Sequence, residues 1–181
     1  VAIWILGSSL FGAQLAALLG LPFAFASDFA PTYLDTALRI YREKFKPSET
    51  LDAPYVMVGA NLCIADTDEE ATYLRSSALQ SFVNLRRGQP GPLPRPLDGF
   101  ESSLNPGEQQ MMQDIGQVSA IGSKSTARNA VIEILNRTEA DEIMFVSAIW
   151  DHQKRLASYR QGAEVLQSID AQASKSAAAA E

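Results

Sequence analysis

The chain has 181 residues, 46% hydrophobic and 20% charged, with one Cys, one His and a formal net charge of −6. That is enough apolar material for one domain with a sizeable core, and it excludes a disordered tail and a disulfide scaffold. The acidic balance argues against a general nucleic-acid binder, and one Cys with one His does not furnish a protein-built zinc site.

The sequence opens inside an apolar run, Val1 to Leu6, without a Met, and reads as a fragment of a longer gene product. No charge precedes Asp28, so a membrane span, or a signal peptide cleaved after Ala24-Phe25-Ala26, competes with a buried β-α-β unit. The run has no basic lead-in and is broken at Gly7-Ser8-Ser9 and Gly20-Leu21-Pro22, which favours β-α-β and no membrane span. Ile3 to Leu6 suits a strand buried on both faces. Gly7-Ser8-Ser9 is a turn whose serines can cap a helix over Leu10 to Leu19, with Gly20 as its C-terminal stop. Phe23 to Ala26 is the next strand.

Pro31 suits a first helical turn, and Leu34, Leu38, Tyr41 and Phe45 follow at helical spacing. That helix should stop before Pro47. Tyr55 to Ile64 reads as a strand with a bend near Gly59. Asp66 and Glu69 have capping-box spacing and open a helix to about Leu85. Gly88 to Pro106 holds five prolines and three glycines. Such a long, partly polyproline-like loop is expected to be a functional lid or a mobile segment. A short helix at Glu108–Asp114, a helix from about Ser125 to Asn136, a strand at Ile143–Ser147 and a long helix from Asp151 to about Ala171 complete the order. Residues 173–181, rich in Ala and Ser, are expected to form a disordered tail. Four short strands alternating with helices predict an α/β fold with a parallel sheet, too few strands to close an eight-stranded barrel.

The leading candidate for chemistry is Gly7-Ser8-Ser9 with Phe11 and Gly12, where a buried strand runs straight into a helix. Backbone N–H groups and two hydroxyls there form an anion cradle, and glycines let a phosphate approach the backbone. The motif is neither a Walker loop nor a dinucleotide fingerprint, and an ordinary Ser-capped turn explains it equally well. The turn Ala26 to Pro31 would share its rim, with Phe29 either facing a ligand or in the core. Gly122-Ser123 is a further helix-start anion candidate, or a simple N-cap. His152 could act as an acid–base group or belong to a surface network beside Asp151 and Arg155. Arg86-Arg87 could hold an anion or form a solvated helix end.

Several segments together resemble a known family. They are Ile5 to Ser9, Ala13 to Ala17, Gly20 to Ser27, Phe29 to Pro31, Ala65 to Ala71, Leu85 to Pro94, Ile121 to Ser123, Ala140 to Met144 and Asp151 to Tyr159. In order and spacing they resemble the second half of a luciferase-like flavin-dependent monooxygenase, nearest the alkanal-monooxygenase-like subgroup. The resemblance implies the C-terminal half of a TIM (β/α)8 barrel over residues 1–172, strands five to eight, with 88–106 as the insertion loop. It implies reduced FMN supplied by a partner reductase, or in some branches F420, with O2 and a small aldehyde-like substrate. Gly7, Ser8 and Ser9 would hold the flavin phosphate, with Phe11 and Gly12 nearby, and Ser27 would lie near the flavin ring. No metal and no catalytic residue is assigned, and Asp28 stands where the family often has His. The intact parent is expected to be a cytoplasmic, homodimeric enzyme, and this chain alone inactive. Without the N-terminal half of the barrel, two sheet edges and part of the interior would be exposed, favouring self-association or pairing with that half. A non-catalytic flavin- or phosphate-binding remnant and a ligand-free structural module are the alternatives.

Overall fold

The computed structural model describes Val1 and residues 3–178. Five strands and six helices follow one another: β1 (Ile5–Gly7), α1 (Leu10–Leu19), β2 (Phe23–Phe25), α2 (Leu34–Lys44), β3 (Val56–Ile64), α3 (Asp68–Arg86), α4 (Pro106–Gly116), β4 (Ser119–Gly122), α5 (Lys124–Thr138), β5 (Glu142–Val146) and α6 (His152–Ala178). The strands pair in the order β1-β2-β3-β4, with β5 also on β3. The sequence predicts four strands, and the structure adds β4. Its four residues, Ser-Ala-Ile-Gly, carry a single large apolar side chain, too little pattern to declare a strand. The chain divides into two compact units, and the division runs through β3.

The first unit comprises 1–60, 114–118 and 134–146. β1 lies parallel to β2 with Gly7 opposite Phe25, and β2 lies parallel to β3 with Phe25 opposite Val58. Side chains alternate across a strand, so each strand has two distinct faces. One face, with Phe23, Phe25, Val56 and Val58, packs on α1 and α2 through Ala13, Ala16, Leu34 and Tyr41. Small alanines let α1 approach closely, and Gly20, at φ 61°, ends it. The other face is open: Leu6 is 71% and Met144 55% exposed. This corrects the expectation of strands buried on both faces. Continuous apolar runs show that both faces suit burial, but the unit's own helices cover only one.

Polar ties fix the strand starts in this unit. The buried Tyr41 hydroxyl donates to Leu21 O at 2.9 Å and accepts Tyr55 N–H at 3.1 Å. Asp141 Oδ2 accepts Val56 N–H at 2.7 Å, and Asp141 N–H donates to Val56 O at 2.9 Å. Pro31 begins a short 3-10 turn through Tyr33, and α2 proper starts at Leu34. Arg42 of α2 donates to Thr138 O, the last carbonyl of α5, and to Glu139 O just beyond it, where a cation also suits the helix dipole.

In the second unit the later half of β3 runs parallel to β4, with Asn61 opposite Ser119 and Ile64 opposite Gly122. Cys63, Ala65, Ala71, Leu74 and Ile149 form its buried cluster. α3 is capped by Thr67, whose side chain accepts Glu70 N–H at 3.1 Å, while Glu70 reaches back to Asp66 N–H. The capping pair therefore sits one residue beyond the expected Asp66 and Glu69. The Pro-rich segment is tied to α3: Leu97 N–H donates to Ser76 Oγ at 2.7 Å, and Gln80 donates to Arg95 O at 2.9 Å. Arg95 also lies over the Trp150 ring at 4.6 Å. The expected lid or mobile loop is thus anchored at several points, and it continues into α4, which Asn105 caps. α6 is helical through Ala178, so 173–178 of the expected tail are helix; 179–181 lie outside the described residues. No helix among the described residues is long and apolar enough to cross a membrane.

Candidate functional site

The site is built where β1 and β2 end in the first unit. In parallel α/β folds the strands' C-terminal ends carry ligand sites, because loops and helix N-termini converge there. Ala26 N–H donates to Gly7 O at 3.1 Å, which sets the Gly7 turn and the Ala26–Asp28 turn side by side. Ser9 caps α1: its backbone is extended and its Oγ accepts Gly12 N–H at 3.3 Å. A hydroxyl that accepts one bond still has its own proton to donate. Ser8 is half-buried, and a Cβ added to Gly7 would meet nothing within 4 Å, so the space beside the turn is open. Gly12 is buried against Phe23, whose ring a Cβ would meet at 3.6 Å; Phe11 points outward, 73% exposed. These donors, hydroxyls and backbone N–H groups, are neutral. The α1 N-terminus supplies the positive end of a helix dipole there.

Below that rim, the open strand face forms an apolar pocket of about 510 Å3. Trp4, Leu6, Met57, Met144 and Val146 line it, with Ala26 and Asp28 from the second turn. Ser27 is not among its walls. It has no exposed surface, and its hydroxyl donates to Gly59 O at 2.6 Å, tying β2 to β3. As placed, Ser27 is a strand tie, and its neighbours Ala26 and Asp28 provide the wall. Asp28 is half-buried, and desolvation pushes its carboxyl above the ordinary range. Phe29 is about half exposed, at 48%, and so is not a core residue.

The second anion candidate, Gly122-Ser123, is already filled. Ser123 Oγ caps α5 by accepting Thr126 N–H at 3.4 Å. The Asp68 carboxylate then occupies the anion position: Oδ1 accepts Ser123 N–H at 2.5 Å, and Oδ2 accepts the Thr126 hydroxyl at 3.1 Å. Those bonds hold the Asp68 carboxyl below its ordinary value. The chain's own carboxylate therefore replaces an external ligand, which corrects the anion-site reading of this turn.

The remaining candidates resolve into structural roles. His152 Nδ1 lies 3.0 Å from Arg155 Nη2, and Asp151 caps α6 by accepting Lys154 N–H at 2.9 Å. Arg87 pairs with Glu108 at 2.7 Å, and Arg86 lies over the Phe82 ring. Burial pushes the Cys63 thiol up to about 12, so it is not a thiolate nucleophile near neutral pH. Two contributors to sites escaped the sequence reading. The pocket wall of Met57, Gly59, Met144 and Val146 had a signal, since alternate residues of β3 and β5 must share a face. Asp68 had none, because it meets Ser123 across 55 residues of chain.

These features define a class: an α/β protein of parallel strands with open turns at the strand ends, matching half of a TIM barrel. Comparisons with known proteins carry this further. No family model matches the chain. It is 46% identical over 169 residues to a luciferase-like monooxygenase of Escherichia coli, spanning 93% of this chain and 50% of that protein. It is 40% identical over 165 residues to the uncharacterized protein YvbT of Bacillus subtilis, spanning 91% and 49%. Among solved structures it is similar to apo-MsnO8, with a TM-score of 0.79 and 29% identity over 92% of this chain and 51% of that one. The oxygenating constituent of 3,6-diketocamphane monooxygenase from Pseudomonas putida, solved with FMN, shares the fold at a TM-score of 0.55 and 18% identity, over 88% and 45%. The chain is a homologue of proteins named luciferase-like monooxygenase, and it spans about half the length of the curated relatives it matches.

Proposed function

We propose that residues 1–172 are the C-terminal half of an FMN-dependent monooxygenase that oxidises a small organic molecule with O2, using reduced flavin from a partner reductase. The observation that carries this reading is the open cradle at Gly7-Ser8-Ser9, neutral and rich in donors, on the rim of an apolar pocket. The residues fit a flavin phosphate: Ser8 and Ser9 offer hydroxyl protons, the first turn of α1 offers a favourable dipole, and Gly7 leaves room for close approach. Phe11 and Gly12 belong to that same turn. Reduced flavin would supply the activation of O2, chemistry that no side chain can perform. The protein's part is to hold the phosphate end and to keep water from the reacting end. Leu6, Met57 and Met144 serve the second purpose, since apolar walls exclude water. We take the small organic molecule to be aldehyde-like. The buried, unpaired Cys63 suits a reducing compartment such as the cytoplasm, and we take the intact protein to be a homodimer.

Titration of the full chain with FMN and riboflavin, by fluorescence and calorimetry, tests this reading. FMN should bind at least about tenfold tighter than riboflavin, the value of one or two charge-assisted hydrogen bonds. The preference should vanish in the Ser8→Ala/Ser9→Ala double variant while riboflavin binding stays the same. Equal affinity for the two flavins, or an FMN preference that survives the double variant, would remove the phosphate cradle and this function with it.

A further inference from the structure

We propose that Met144 is a modification site, and that its oxidation to the sulfoxide by hydrogen peroxide turns the apolar pocket polar and switches off its binding of apolar molecules. The inference uses the pocket alone and does not depend on the flavin reading. The chain has four methionines. Two of them, Met57 on β3 and Met144 on β5, stand on paired strands and line the same pocket. Met144 is 55% exposed, whereas Met112 on α4 is 5% exposed and Met57 and Met111 are half-buried. The chain's one thiol does not compete for peroxide. Cys63 is 3% exposed, and burial keeps it protonated, so it lacks the reactive thiolate. The most accessible reactive sulfur of the chain therefore lies on a pocket wall.

The thioether sulfur attacks one peroxide oxygen, so that an S–O bond forms and the O–O bond breaks. The departing hydroxide takes the proton of the new S–OH group and leaves as water; sulfur loses two electrons and peroxide gains them. The product is a polar, chiral sulfoxide in place of a flexible apolar side chain. Its oxygen accepts hydrogen bonds, and the side chains of Leu6, Met57 and Val146 around it have no proton to donate. An apolar molecule seated against the sulfoxide would strand that oxygen away from water, which opposes binding. The change is reversible, because a dithiol-driven sulfoxide reductase removes the oxygen as water and forms a disulfide, with one enzyme for each sulfur epimer.

The test treats the full chain with hydrogen peroxide and follows each methionine by peptide mass spectrometry, with the uncharged apolar dye Nile red as the pocket probe. Met144 should oxidise first, and at least about tenfold faster than the buried Met112, since susceptibility follows exposure. Nile red affinity should fall about tenfold in step with the Met144 sulfoxide while the circular dichroism spectrum stays the same. Sulfoxide reductases of both epimer specificities, with dithiothreitol, should restore the affinity. Met144→Leu keeps an apolar side chain of similar size, so it should bind the dye within about threefold of the wild type. It should hold that affinity over the interval in which wild-type Met144 is consumed. Met57, Met111 or Met112 oxidising as fast as Met144 would overturn the assignment. So would the absence of dye binding before treatment, binding unchanged at full Met144 oxidation, an equal loss in Met144→Leu, or unfolding that accompanies the loss.

Discussion

Two turns in this molecule share one local grammar. β1 runs through Gly7-Ser8-Ser9 into α1, and β4 runs through Gly122-Ser123 into α5. In both, a serine caps the helix, with Ser9 accepting Gly12 N–H and Ser123 accepting Thr126 N–H. Their surroundings differ. Beside Gly122 the Asp68 carboxylate takes Ser123 N–H and the Thr126 hydroxyl, whereas a Cβ on Gly7 would meet nothing within 4 Å. An anion-binding turn is therefore defined less by its own residues than by what the rest of the chain places against it. Where a distant carboxylate fills the position, the turn is structural; where the space is open, it can receive a ligand.

The largest expected effect comes from adding one methyl group to each turn. Gly122 has φ 134°, and its Cβ would fall 2.6 Å from Asp68 Oδ1 and 2.8 Å from Thr126. Gly122→Ala should cost about 2–3 kcal/mol in urea unfolding, combining backbone strain with a clash. Gly7→Ala should cost less than about 1 kcal/mol, since it adds no clash. Equal losses in the two variants would show that the turns are filled alike and would break the comparison.

A smaller effect sharpens it. Ser9→Ala removes the cap of α1 and should lower stability by about 1 kcal/mol. Ser8 makes no cap bond to α1, so Ser8→Ala should leave stability nearly unchanged while still weakening FMN binding. A Ser8→Ala variant as unstable as Ser9→Ala would give Ser8 a structural rather than a ligand role.

The same contrast explains what could be read from the sequence. Local signals carried far: the Gly20 stop, the apolar stripe Leu34-Leu38-Tyr41, the end of α2 before Pro47 and the long β3 all follow from spacing and stop residues. Ser9 as a cap was equally legible. Contacts between distant segments were not. Asp68 at Ser123, Ser27 turned toward Gly59 O, and Ser76 and Gln80 holding the Pro-rich segment depend on register and packing that no window of sequence contains. β4 failed for the opposite reason, being too short and too weakly apolar to show a period. The open strand face was half legible: its apolar residues were plain, but the sequence could not say that nothing within the unit covers them.

The smallest effect concerns Asp68 itself, because its carboxylate is exposed and solvent screens it. Its folded pKa lies below its ordinary value of 3.8, through bonds from Ser123 N–H first and the Thr126 hydroxyl second. A depressed carboxyl contributes stability that is present above the unfolded pKa and is lost as pH falls through the folded one. Wild-type stability should therefore drop below about pH 4 by more than that of Asp68→Asn, which cannot ionise. The difference between the two proteins isolates this group from the other lowered carboxyls, Glu70 beside Lys154 and Glu108 beside Arg87. Asp68→Ala goes one step further, because it empties the position and leaves Ser123 N–H and the Thr126 hydroxyl without their acceptor. Inorganic phosphate should then raise the melting temperature of Asp68→Ala by about 2–4 °C more than that of the wild type, by linkage to a newly vacant anion site. If phosphate stabilises both proteins equally, Asp68 is not the built-in anion, and the two turns differ for some reason other than the carboxylate between α3 and α5.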